Sequence, residues 1–267
     1  MLPMGARLLK YHRVGHLQVY LDERPLRHPT TKQIVQIPAS KPHLATALAH
    51  EWDVLSSVQE ATKHHRIPLT STVCRAVDIE AEGAAGPIRE SILDTMMRYL
   101  DTDSLLCWAP DDDKTGELRE MQRRAAEDVV GFLVERVWPG TTIVPVLDGE
   151  TIFPRSQDPA TLAVVRGWVA GLSAWELAAF ERAVLAGKSL LIGARLVVEW
   201  SEGPVGMVSV NKGGERFGVE TAARLASLEV GWQTGKWGEV EDTHDVEKED
   251  VRRQFGSAVL LVAGKGA

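Results

Sequence analysis

The chain has 267 residues, enough for one large domain or two modest ones, and 44% of them are apolar, so a substantial core is expected. Its formal net charge of −7 argues against nucleic acid as the main partner, because phosphate binding requires a basic surface. Cys74 and Cys107 are too few for a disulfide framework or a zinc site, and no apolar run approaches the ~18 residues of a membrane span.

The two cysteines read as buried thiols in a reducing compartment. Eight tryptophans against three tyrosines leave room for aromatic anchors at an interface. No acid occurs before Asp22, while Arg7, Lys10 and Arg13 precede it. That pattern fits the tail of a mitochondrial presequence or an ordinary basic terminus.

Leu17–Asp22 alternates like a strand, Glu23-Arg24-Pro25 reads as a turn, and Gln33–Ile37 reads as a second strand. Ser40 looks like an N-cap with Pro42 in the first turn. Leu44, Leu48, Trp52 and Leu55 or Val54 then mark the inner face of an amphipathic helix, with Glu51 and Asp53 flanking Trp52. His64 and His65 are adjacent and point apart on any regular element, which favours a solvated turn over a metal site. A helix is expected from Leu69 through Val73 and Val77 to Glu82. Gly83–Gly86 breaks it, and a second helix covers Ile88–Leu100 with Ile92 and Met96 inward. Asp101–Asp103 reads as a turn and Ser104–Trp108 as a short apolar strand.

The charged break Pro110–Lys114 divides the chain into a mixed part, 1–110, and a helical part, 111–267. Glu117–Trp138 reads as one helix. Residues 139–158 are irregular, with Val144, Ile152 and Phe153 as a candidate extended segment. Asp158 caps Pro159 at the start of a helix that ends near Gly171. Ser173 and Glu176 form a capping-box pattern, and the helix they open is expected to run to about Glu199. Within it Glu181, Lys188 and Arg195 recur every seven residues on one stripe. Trp200–Gly218 reads as a polar, Gly-rich excursion. Ala222–Val230 is helical. A last helix starts near Val246, with Val251, Phe255, Val259 and Val262 buried and Glu241, Asp242, Asp245 and Glu247 crowding its positive end.

Ala186-Gly187-Lys188-Ser189 falls short of a phosphate loop, since Arg182 stands where that motif requires glycine. Lys188 instead reads as a buried lysine matched to Glu229 or Glu181, because burial without a partner would cost it its charge. Asp101 and Asp103 lack the further oxygen ligands of a calcium loop. The run Glu241–Asp245, with His244, could hold a metal or act as an acid–base pair, but helix capping already accounts for its acids. No nucleophile elbow, Cys-x-x-Cys or His-Glu-x-x-His is present.

Taken in order, several motifs resemble the mitochondrial ATP synthase assembly factor 2 family. They are Val19–Arg27, Leu48-Ala49-His50-Glu51-Trp52-Asp53, Pro68-Leu69-Thr70, Tyr99–Asp103, Leu172–Leu177, Gly187-Lys188-Ser189, Leu228-Glu229-Val230 and Trp237–Asp245. The resemblance covers about residues 17–262. It departs from the family pattern in the long Trp200–Gly218 excursion and in the loosely kept Met121-Gln122-Arg123-Arg124. It implies an α+β fold, with a small mixed N-terminal domain of short strands and helices followed by an all-helical C-terminal domain. It also implies a monomeric chaperone of the mitochondrial matrix, with a presequence missing or trimmed. Such a protein needs no cofactor, catalyses no reaction, and shields the β-facing surface of the unassembled ATP synthase α subunit.

On that reading the candidate client contacts are Glu181, Glu229, Glu239, Glu241, Asp242 and Trp237, with Trp52, Glu51 and Asp53 on the N-terminal part. Trp52 also reads as a core residue, and Glu229 as the internal partner of Lys188. The alternatives are a small metal-dependent enzyme built from Asp101, Asp103, His244 and Asp245, or a stable scaffold subunit.

Overall fold

The computed structural model describes residues 9–12, 15–57, 59–60, 66–112, 114–207, 216–238 and 244–265, with backbone alone at 9–12 and 244–247. The α+β reading holds: a small antiparallel sheet is followed by helices. Strands β1 (Leu9–His12), β3 (Arg24–Pro25) and β4 (Ile37–Pro38) all pair with β2 (His16–Leu21). Leu9 lies opposite Val19, Pro25 opposite Tyr20, and Ile37 opposite Leu17. Asp22 adopts a left-handed φ of 57°, which tightens the turn. Arg24 and Pro25, expected in the turn, therefore already belong to the returning strand. The second expected strand shrinks to Ile37–Pro38, and upstream only an Arg27–Ile34 bridge remains.

Leu17, Val19 and Ile37 are buried, and β2 packs on α1 (Pro42–Asp53). Leu44 and Leu48 form the inner face of α1, and Leu55 rather than Val54 continues it. Ser40 is not the cap of α1. Lys41 occupies that position, and the Ser40 hydroxyl donates to Glu202 at 2.7 Å. Lys41 is buried, pairs with Glu202 at 2.8 Å and donates to the Val262 carbonyl at 3.1 Å, so the start of α1 is drawn toward the C-terminal helix.

Helices α2 (Pro68–Glu82) and α3 (Pro87–Leu100) lie where their periodicity placed them, and Gly83 at φ 79° ends the first. Ser104–Leu106 is a 3-10 turn rather than the expected strand. The cause is Asp103, whose carboxylate accepts from Leu105 N at 3.0 Å and curls the chain. Cys107 then makes a single parallel bridge to Leu147. Cys74 is buried, with its thiol pushed up to about 12 by burial, whereas Cys107 is only half-buried.

Helix α4 (Gly116–Phe132) runs on through one wide turn, Leu133–Val137, to Trp138. The 139–158 stretch forms no regular strand. Gln157 clamps Val144 through both its amide N–H and its carbonyl, while Ile152 and Phe153 are exposed. Asp158 caps α5 (Pro159–Ala170) through Ala160 N and Thr161 N.

The Ser173–Glu176 capping box opens α6 (Ala174–Gly187). The single helix expected to reach Glu199 is instead two. Lys188 takes a left-handed φ of 52°, Ser189 caps Ile192 N at 3.1 Å, and α7 (Leu190–Trp200) begins anew. The break also removes the supposed stripe. Lys188 lies between the helices, and Arg195 is buried in α7 against Glu199 and the Phe132 ring. A second split, at Ser227, divides the expected 222–230 helix into α8 (Val219–Ala226) and α9 (Leu228–Trp237). Helix α10 (His244–Val262) closes the fold, with Phe255 and Val262 buried.

Helix α6 is central and packs against α2, α7 and α10. Close approach depends on Gly187 and Gly193. A Cβ at Gly187 would stand 2.8 Å from Phe255 Cζ, and one at Gly193 would stand 2.8 Å from Val184 Cγ2. One buried apolar cluster runs from Leu17 to Val262. Among the described residues no helix is long and apolar enough to cross a membrane.

Candidate protein-docking face

The short motifs of the sequence converge in pairs. Glu51, at the end of α1, accepts from Leu69 N at 2.7 Å, Thr70 N at 2.8 Å and Thr70 Oγ1 at 2.6 Å. It supplies from another helix the cap that α2 lacks, satisfying amides at the positive end of that helix. Burial raises its pKa, opposed by these hydrogen bonds. Trp52 Nε1 donates to the same Thr70 hydroxyl at 2.8 Å, and the Trp52 ring packs against the core. Glu51 is therefore spent on an internal joint and is not available as a client contact, while Trp52 follows its core reading. Asp53 is exposed.

Asp103 joins a second pair of motifs. It is fully buried and accepts from Leu105 N and from Leu191 N, each at 3.0 Å, so one carboxylate caps both the 3-10 turn and α7. Burial pushes its pKa up to about 6 against the hydrogen bonds it accepts. Ser104 N donates to the Lys188 carbonyl at 3.1 Å and its hydroxyl to the Gly187 carbonyl at 3.1 Å. Asp101 is exposed while Asp103 is enclosed, so the two do not form a common site. Among the described residues no group of three His, Cys, Asp or Glu side chains could hold a metal ion. The side chains of His244 and Asp245 lie outside the described residues, as do Glu239, Glu241, Asp242, His64 and His65.

Glu181 makes a bidentate pair with Arg75 of α2, both contacts 2.8 Å. It ties α2 to α6 and is neither a Lys188 partner nor an open contact. The expected buried Lys188–Glu229 pair does not form either. Both side chains are exposed, and Glu229 accepts from Gln233 Nε2 at 3.0 Å. The left-handed turn at Lys188 carries its side chain out of the packed interface where a continuous helix would have placed it.

What remains open is the face made by α8, α9 and α10. Trp237, at the end of α9, is 73% exposed and stacks edge-on against Trp232, with ring centroids 5.7 Å apart. Trp232 is held by Glu117 of α4, to which its Nε1 donates at 3.4 Å, and Lys236 pairs with that carboxylate at 3.2 Å while lying 4.3 Å above the Trp232 ring. The Lys236 and Trp232 hydrogen bonds hold Glu117 below the usual carboxylate range. A rigid inner tryptophan thus presents an outer one to solvent. The inner tryptophan, Trp232, also lines a groove of about 600 Å³ whose other walls come from α8, α9, the 186–188 junction and the Lys248–Arg252 turn of α10. Sequence reasoning identified Trp237 but missed the groove, whose walls come from segments up to 131 residues apart, from Met121 to Arg252.

Residues 6–134 match a family profile described as ATP12 chaperone protein. The chain is 31% identical over 257 residues to the protein atp12, mitochondrial, of Schizosaccharomyces pombe, covering 92% of this chain and 77% of the relative. It is 30% identical over 262 residues to the protein ATP12, mitochondrial, of Saccharomyces cerevisiae, covering 92% and 78%. The crystal structure of Atp12 from Paracoccus denitrificans shares the fold, with a TM-score of 0.67 at 23% identity over 96% of this chain and 94% of that one.

Proposed function

The chain belongs to the ATP12 chaperone family, and we propose that it is an assembly chaperone of the mitochondrial ATP synthase that binds the unassembled α subunit of the catalytic head. The proposal extends to its place of work, the mitochondrial matrix, and to a division of labour between residues 1–110 and 111–267, with client capture on the second part. The observation that carries the docking side is Trp237, a large exposed aromatic seated against the buried Trp232, which itself lines the groove. Aromatic anchors of this kind dominate interface energetics.

The mechanism needs no catalytic centre and no cofactor. A free α subunit exposes apolar surface that the β subunit later covers. A chaperone that buries part of it through a moderate interface blocks aggregation, and β displaces it by mass action once the native interface forms. Glu229 stands beside this face with an exposed carboxylate and is the charged candidate there.

Co-expression tests the reading. An α subunit that stays soluble with this chain and precipitates without it supports it; solubility independent of the chain counts against it. Glu229→Lys serves as the local probe, with normal melting and lost capture of α expected. A stable scaffold subunit would instead co-migrate with the finished synthase on size exclusion.

A further inference from the structure

We propose that the groove between α8, α9 and α10 receives a carboxylate-bearing apolar segment of a client protein. The inference rests on the reading of this face as the client side and specifies the chemistry that it would take.

Three cations point to that chemistry. Lys188, Arg224 and Lys248 line the groove, all are exposed, and none has an ion-pair partner among the described residues. They come from three separate places: the α6–α7 junction, the last turn of α8 and the first turns of α10. Other cations nearby are already matched. Arg252 pairs with Glu220 at 3.0 Å, and Lys236 with Glu117 at 3.2 Å. Among the described residues that line the groove, Lys188, Arg224, Lys248 and Arg252 stand against the single carboxylate of Glu220, so this lining is positive in a chain of net charge −7.

The walls between them are apolar. Met121, Val230 and Val251 line the groove with Trp232, and Met121 and Val230 are exposed although large and hydrophobic. Ser227 at the α8–α9 break and Gly231 and Thr234 of α9 put small residues along the groove, and a Cβ added at Gly231 would meet no atom within 4 Å. The depression is thus shaped by absent side chains and ringed by charge. Apolar side chains of a segment would fill it, while its carboxylates would reach Lys188, Arg224 and Lys248. A free small anion would use the charge but leave the apolar walls uncovered, and a basic segment would be repelled.

The test uses the full chain and overlapping peptides that scan an ATP synthase α subunit. Captured peptides are expected to carry Asp or Glu among apolar residues. Capture should fall at least about tenfold in a Lys188→Gln, Arg224→Gln, Lys248→Gln variant, and likewise when the peptide acids are replaced by amides. Gly231→Leu should block the same peptides while leaving the melting temperature unchanged or higher, since it fills open space and adds helix propensity. Capture of basic or neutral peptides only, of none, or at wild-type strength by the variants overturns the proposal. So does binding of inorganic phosphate or ATP that depends on the three cations with no acidic peptide held. If α stays soluble only with the wild-type chain but no acidic peptide binds, the chaperone reading stands and the groove assignment fails. If acidic peptides bind but α solubility ignores the chain, the reverse holds.

Discussion

The Glu51 carboxylate accepts both the backbone amide and the side-chain hydroxyl of Thr70, at 2.8 and 2.6 Å. Nineteen residues separate the two, and together they splice α1 to the start of α2. Glu51→Gln should lower folding stability by roughly 2–3 kcal/mol, because an amide would turn a donor toward buried donors. Thr70→Val, which removes only the hydroxyl, should cost about 1–2 kcal/mol. Urea denaturation measures both, and a loss below about 0.5 kcal/mol for Glu51→Gln would show that the joint is dispensable.

Asp103 should make stability proton-linked. Its folded pKa is raised to about 6 from an ordinary value near 3.8, so the native state binds the proton more tightly than the unfolded chain. The contribution is fully present below about pH 4 and is lost as pH rises through about 6. The wild-type stability minus that of Asp103→Asn should therefore fall by on the order of 2–3 kcal/mol across this window. Exposed carboxylates are common to both proteins and cancel in the difference. A flat difference between pH 4 and pH 7 would refute the assignment.

Gly187→Ala should destabilise by about 1–3 kcal/mol, since its methyl would meet Phe255 Cζ at 2.8 Å in a close-packed core. Phe255→Leu in the same chain should recover part of that loss, giving a non-additive double-mutant cycle. Strict additivity would mean that the two residues do not touch as described.

Trp237→Ala should leave the melting temperature within a degree or so of wild type, because most of the ring is already in water. Capture of the α subunit should weaken by at least about tenfold, the scale of a truncated aromatic anchor. Trp232→Ala should lower the melting temperature as well as weaken capture, since its ring is buried and hydrogen-bonded to Glu117. Unchanged capture by Trp237→Ala would remove this face from the client interface.

Much of the fold is legible from local pattern. Asp158 before Pro159, and Ser173 three residues before Glu176, announce helix starts because a cap acts within one turn of its own chain. The inward stripes of α1, α3 and α10 follow from helical periodicity for the same reason. The Gly187–Ser189 break was also encoded locally, as a stop followed by a cap, but the apolar run on either side conceals it. Charges recurring every seven residues then suggest a stripe that does not exist.

The roles of individual acids were not legible in this way. Glu51, Glu181 and Glu229 look alike as carboxylates on amphipathic helices. Tertiary packing sends the first to the N-terminus of α2, the second to Arg75, and leaves the third in solvent. The sequence by itself determined the family and most of the helix starts, because these depend on residue order and short-range spacing. Only the tertiary structure decided which carboxylates are internal joints and that Lys188, Arg224 and Lys248 gather around one groove. Partnership across 19 to more than 100 residues depends on which helix ends meet, and no local period records that.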